Sequence, residues 1–172
     1  MTRLPNDYEL KQTTIWWNYF KITDEPQEFR ILTSPIIWYE YFKETEDWKI
    51  RPVRQKEVFK ETPWIRSDST PKEFRAFVVW NHWLKKIQIM ELTQKTIMKS
   101  IVELTKSVDW SDPKQYDMSI VKSWKGKETK YSITPLPKSR FTDDEEWNKA
   151  LEEAEWVRLE ALYDWDDPFN PF

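Results

Sequence analysis

Phe74-Arg75-Ala76-Phe77-Val78-Val79-Trp80 and Ile87-Gln88-Ile89-Met90-Glu91-Leu92, joined by Asn81-His82-Trp83-Leu84-Lys85-Lys86, decide the fold class. β-Branched and aromatic residues dominate the first run. Alternation puts Phe74, Ala76, Val78 and Trp80 on one face of a strand and Arg75, Phe77 and Val79 on the other. With the second run alternating likewise, the stretch predicts an antiparallel hairpin. A helix follows, capped by Thr93, in which Ile97, Ile101, Leu104 and Val108 recur at helical intervals and form one stripe.

Working outward, Asp112-Pro113 marks a turn, and Tyr116 to Trp124 with Glu128 to Pro135 form a second hairpin turning at Lys125-Gly126. Gly126 is the only glycine and stands where a positive φ is required. Upstream, residues 28–45 are dense in β-formers interrupted by Ser34-Pro35, which predicts one long bent strand or two strands. Residues 47–66 form a basic, Pro-punctuated connection suited to a binding loop. Thr142-Asp143-Asp144-Glu145 is a capping-box pattern ahead of a helix carrying Trp147, Ala150, Leu151, Ala154, Val157 and Ala161 on one face.

The string predicts a mainly β protein with helices (α+β). Its order fits a five-stranded barrel of the oligonucleotide/oligosaccharide-binding (OB) type, with a helix between strands three and four and an additional C-terminal helix. A meander with two helices on one face gives a similar string. The expected organisation is an N-terminal arm over 1–18, a binding domain over 19–141, an acidic helix over 142–163 and a flexible acidic-aromatic tail over 164–172.

Composition removes most catalytic chemistry. The chain has no cysteine and one histidine, His82, so thiolate catalysis, Cys-ligated metals and His-pair metal sites are excluded. A single glycine excludes a Gly-rich phosphate loop. Asp109, Asp112 and Asp117 surround a turn, where aspartates are more often caps than metal ligands. No enzyme and no cofactor is expected. No apolar run reaches the ~18 residues of a membrane span, and the sequence reads as cytoplasmic.

Charge is unevenly distributed. Residues 143–172 hold eleven acidic and two basic side chains, net −9, against 25 basic and 19 acidic, net +6, in the rest. Rings interleaved with cations occur in three places: Trp38, Tyr39, Tyr41, Trp48, Arg51 and Arg54; Arg75, Phe77, Trp80, Trp83, Lys85 and Lys86; and Lys122, Trp124, Lys125, Lys127, Lys130 and Tyr131. Single-stranded nucleic acid is bound by such sets, bases stacking on rings while Lys and Arg follow the phosphates. A ring on a strand is more often core than platform, so rings flanked by cations are the better candidates. His82 reads as a surface residue or a stacking partner.

Phe77-Val78-Val79-Trp80, Ile87-Gln88-Ile89-Met90-Glu91-Leu92, the helix with Ile97 and Ile101, Asp109-Trp110-Ser111-Asp112-Pro113, Tyr116-Asp117 and Thr129-Lys130-Tyr131-Ser132-Ile133-Thr134-Pro135-Leu136-Pro137 together resemble the single-stranded-DNA-binding proteins of tailed bacteriophages and prophages. Tyr19-Phe20-Lys21, Phe29-Arg30-Ile31-Leu32 and Ser34-Pro35-Ile36-Ile37 fit that family's first strands, so the resemblance covers roughly residues 19–140. It implies an OB-type barrel that coats single strands without sequence preference during replication, recombination or repair. Some relatives carry a Cys-rich zinc insertion, which this chain lacks. The resemblance also implies that Asp164, Asp166, Asp167, Phe169 and Phe172 dock replication or recombination enzymes, although Pro168-Phe169-Asn170-Pro171 separates the acids from the last Phe. Self-association stays open. The alternatives are a phage adaptor whose rings and C-terminal helix bind protein, and an RNA-binding OB protein.

Overall fold

The computed structural model describes residues 18–44, 46–57, 71–137 and 144–170. Seven strands make one open antiparallel sheet: β1 (Gln27–Ile31), β2 (Ile36–Glu44), β3 (Ile50–Gln55), β4 (Lys72–Asn81), β5 (Lys86–Leu92), β6 (Met118–Lys125) and β7 (Glu128–Pro135). Helix α1 (Lys95–Thr105) follows β5, and helix α2 (Asp144–Glu155) comes after β7. The mainly β class with helices is as expected. The closed five-stranded barrel is not: among the described residues there are seven strands, the sheet is open, and the mid-chain helix falls between the fifth and sixth of them.

Two local features account for the extra strands. Ser34-Pro35 interrupts the long β segment, so β1 and β2 lie end to end along one edge of β4, Ile31 opposite Val79 and Ile36 opposite Ala76. Five steps of chain there span three of β4. Within the interruption the Leu32 N–H donates to the Val78 carbonyl at 2.8 Å, and the Thr33 hydroxyl accepts from the Val78 N–H at 3.0 Å. A side chain thus satisfies the amide that the bulge deprives of a backbone partner. The second feature is β3, which lies inside the expected binding loop and pairs with β2 from Tyr39 opposite Gln55 to Glu44 opposite Ile50. Pro52 is tolerated because β3 is an edge strand among the described residues.

β4 is covered on both faces, so Ala76 to Trp80 are all buried and its inner half reads as a continuous apolar run. On one face Phe29, Ile31, Phe77, Val79, Met90, Leu92, Met118 and Ile120 pack with Ile97, Met98 and Ile101 of α1. On the other, Trp38, Ala76, Val78, Trp80, Ile87 and Ile89 pack with Ala150 and Ala154 of α2 and with Leu159 and Leu162. The two are called the α1 side and the α2 side below.

Helix ends differ from the sequence reading. Gln94, not Thr93, is the N-cap of α1, without a side-chain cap, and Val108 lies beyond the helix in a 3-10 turn with 91% exposure. The C-terminal helix ends at Glu155, and Ala161 sits in a separate 3-10 helix over Leu159–Asp164. The arm through residue 17, the connection from 58 to 70, Thr142 and Asp143 of the capping pattern, and Phe172 lie outside the described residues. No described helix is long and apolar enough to cross a membrane.

Candidate nucleic-acid interface

Burial sorts the candidate rings. Trp38 is fully buried, and Tyr41, Phe77 and Trp80 are buried as well. These four are corrected from platform to core: β2 and β4 lie inside the sheet with helices or chain on both faces, so their rings have no solvent side on which a base could stack. Trp48, Trp83 and Trp124 are exposed at 83%, 72% and 64%, while Tyr39 and Tyr131 are half-buried. These three exposed candidate rings sit at hairpin ends, Trp124 in the last turnward residues of β6 and Trp48 and Trp83 in the connecting turns themselves.

The β2–β3 hairpin brings together one group. Lys43 stands opposite Arg51, and Trp48 projects from the connecting turn between Asp47 and Lys49. Asp47 lies 3.5 Å from Lys49 and 3.9 Å from Arg51, and with Glu44 and Glu46 exposed beside them the hairpin end sets three carboxylates against three cations. Trp48 has a φ of 58°, and a bulky residue in the left-handed region is strained. Lys43 and Lys49 were not among the candidates. Reading Ile50–Gln55 as a strand, with its β alternation opposite Tyr39–Glu44, would have supplied Lys43.

The β6–β7 hairpin holds the second group. Ile120 and Ile133 pair within the α1-side core, and continuing along both strands brings Lys122 opposite Tyr131 and Trp124 opposite Thr129 on that same side. The Lys122 ammonium lies 4.5 Å from the Trp124 ring centroid, so cation and platform are already in contact. Lys130 projects to the opposite side, opposite Ser123. Gly126 takes a φ of 68° in the turn, as its sequence position requires, and Lys127 is exposed beside it. The Lys125 side chain is outside the described set.

The middle group is scattered. Arg75 lies on the α1 side, with its Nε donating to Glu73 at 2.8 Å, whereas Trp80 faces α2. Trp83 and Lys85 are exposed in the β4–β5 turn, whose Trp83 and Leu84 amides donate to the Asn81 side chain at 3.0 and 3.2 Å. Lys85 has a φ of 50°. Burial lowers the pKa of Lys86.

Arg54 is taken by the C-terminal segment. Its Nε donates to Glu40 at 3.0 Å, a terminal nitrogen donates to the Leu162 carbonyl, and its guanidinium lies 3.4 Å from the Trp165 ring centroid and 5.1 Å from that of Trp38. Nearby, the Tyr163 hydroxyl donates to the Ile37 carbonyl at 3.1 Å, and Lys56 lies over the Tyr163 ring at 4.6 Å. Residues 164–170, expected as a flexible tail, turn back here. The Asp166 N–H donates to the Ala161 carbonyl at 3.0 Å, the Arg158 N–H to Pro168 at 2.9 Å, and the Arg158 guanidinium to Asn170 at 2.7 Å. Phe169 packs against the α2-side core. Asp164, Asp166 and Asp167 remain exposed, with no Lys or Arg within 4.0 Å among the described residues.

His82 and Asp117 make a buried polar centre that the sequence reading missed. Asp117 receives Arg30 Nε at 2.7 Å and lies 2.9 Å from His82 Nε2, and Arg30 sits 4.9 Å from the Trp147 ring centroid of α2. Burial pushes the Asp117 carboxyl upward, but the hydrogen bonds from His82 and Arg30 prevail and hold it below the usual aspartate value. Asp112 is a cap, accepting from the Lys114 N–H at 3.0 Å. Among the described residues no group of three His, Asp or Glu could hold a metal ion.

What the geometry assembles is three hairpin ends, each with an exposed tryptophan near lysine (Trp48, Trp83 and Trp124), on a sheet whose α2 side is closed by an acidic segment. The chain matches no family model, no curated protein and no solved structure.

Proposed function

We propose that this chain binds single-stranded DNA with little sequence preference, without catalysing a reaction, in phage or prophage replication or recombination. The observation that carries the reading is the pair of exposed tryptophans, Trp48 and Trp124, each beside lysine or arginine at a hairpin end. Leaving two such rings in water forgoes about 1.5–3 kcal/mol of burial apiece. Stacking contributes ~1–3 kcal/mol per base, which makes nucleobases a fitting recipient.

An OB-like arrangement is the finer architectural proposal. It is supported by the β1–β2 line paired along one edge to β4, with β1 paired on its other edge to β6 and a helix leading into the β6–β7 hairpin. On this reading β3 is an insertion after the first strand. The exposed Asp164, Asp166 and Asp167 form the surface that recruits replication or recombination proteins.

The test is titration of the full chain with oligo-dT, followed by tryptophan fluorescence, beside gel shifts with duplex DNA and RNA. Quenching on oligo-dT, weak base preference, and an affinity that falls with salt by a slope of ~0.7 per phosphate contact are expected. Unchanged emission at saturating oligo-dT, or equal binding to duplex, overturns the reading in favour of the protein adaptor.

A further inference from the structure

A second cationic site lies at the junction of α1 with β4. Glu73 and Arg75 of β4 and Lys95, Met98, Lys99 and Val102 of α1 line a cleft of about 270 Å³. It holds three cations against one carboxylate, and that carboxylate is already engaged by Arg75 Nε at 2.8 Å. Among the described residues neither lysine has an acidic group within 4.0 Å. Glu103, one turn beyond Lys99, gives its carboxylate to Lys106 at 2.8 Å.

These charges oppose their local setting. Lys95 is the first residue of α1, where the positive end of the helix dipole disfavours a cation, and the first turn contains no acidic residue. Lys95 and Lys99 are four apart, a like-charge spacing that destabilises a helix. An anion in the cleft relieves both conflicts. Val102 is 41% exposed beside it, giving an apolar margin to the cationic wall.

The cleft also adjoins the candidate interface. Arg75 stands opposite Ile37, and alternation along β2 carries Tyr39 and Lys43, with Arg51 opposite Lys43, onto the same α1 side. We propose that Arg75, Lys95 and Lys99 form a phosphodiester-binding site, which takes the backbone of a single strand whose bases reach the β2–β3 hairpin. This rests on the function proposed above and assigns to that strand two lysines outside the ring-bearing segments.

The experiment compares the full chain with the Lys95→Gln/Lys99→Gln double variant in oligo-dT titrations at several chloride concentrations, with Trp48→Ala as a reference. Glutamine keeps helix propensity and removes the like-charge pair, so the melting temperature stays level or rises. The double variant is expected to bind roughly tenfold more weakly at low salt and to lose ~1.4 from the salt slope. Its quench at saturation is expected to be unchanged, because no ring has been removed, whereas Trp48→Ala loses quench amplitude. If the parent chain quenches on oligo-dT and the double variant matches it in affinity and slope, the cleft proposal alone fails. If the parent chain does not bind, the functional reading fails and the cleft with it. A site for free phosphate instead of the strand is recognised when inorganic phosphate, at constant ionic strength, raises the melting temperature of the parent chain but not of the double variant while both proteins have equal oligo-dT affinity, which also overturns the proposal.

Discussion

At the scale of single residues, burial separates two kinds of tryptophan that composition leaves mixed. Trp38→Ala and Trp80→Ala remove fully packed rings and are expected to cost about 3–5 kcal/mol each, seen in denaturant melts. Trp48→Ala and Trp124→Ala should change stability by no more than ~0.5 kcal/mol while weakening oligo-dT binding. Trp48→Gly separates strain from function, since glycine takes φ of 58° without penalty. Its melting temperature should hold or rise while binding falls, and a loss of stability would show that the ring packs. Asp117 gives a pH signature. Its folded pKa is depressed, so its contribution is fully present above the unfolded value near ~3.9 and is lost as pH falls through the lower folded value. Asp117→Asn should flatten that acid limb and, by removing the carboxylate to which Arg30 Nε donates in a buried setting, lower the melting temperature.

Among the elements, those bounded by local chemistry were legible: the β4–β5 pair from alternation, the β6–β7 turn from Gly126, and α1 from its apolar stripe. What sequence did not disclose depends on chain that is distant in sequence. β3 hides behind Pro52 and a run of cations, and only its pairing with β2 makes it a strand. Likewise Trp38 and Arg54 look like a ring and a cation for a ligand because the segment that covers them is over a hundred residues away, at Leu162 to Trp165. At α2 the small residues Ala150 and Ala154 allow close approach to the sheet, with burial near complete. Ala154→Glu should therefore detach the helix and expose the Trp80 side, lowering the melting temperature and increasing binding of a hydrophobic dye. An unchanged melt would show that α2 contributes little to the fold.

For the whole molecule, a basic body and an acidic C-terminal segment are joined through a folded contact. Tyr19 registers this proximity: burial, then the charges of Glu91 and Asp167, push its pKa up to about 12. Deleting residues 164–172 is expected to raise oligo-dT affinity at low salt, by removing nearby acids and uncovering Arg54. Identical isotherms for the two chains at low salt would remove the tail from the binding equilibrium. Arg54, however, is held by a carbonyl, by Glu40 and by the Trp165 ring, and among the described residues the side-chain carboxylates of Asp164, Asp166 and Asp167 take no part. Attachment and charge are thus separable traits of one segment. Asp164→Asn, Asp166→Asn and Asp167→Asn together would change the electrostatics and leave the fastening. Arg54→Lys would keep the net charge and loosen the fastening, because an ammonium cannot reproduce the planar fork stacked on an indole. The ending can therefore acquire a new partner through its acids without altering how it is anchored.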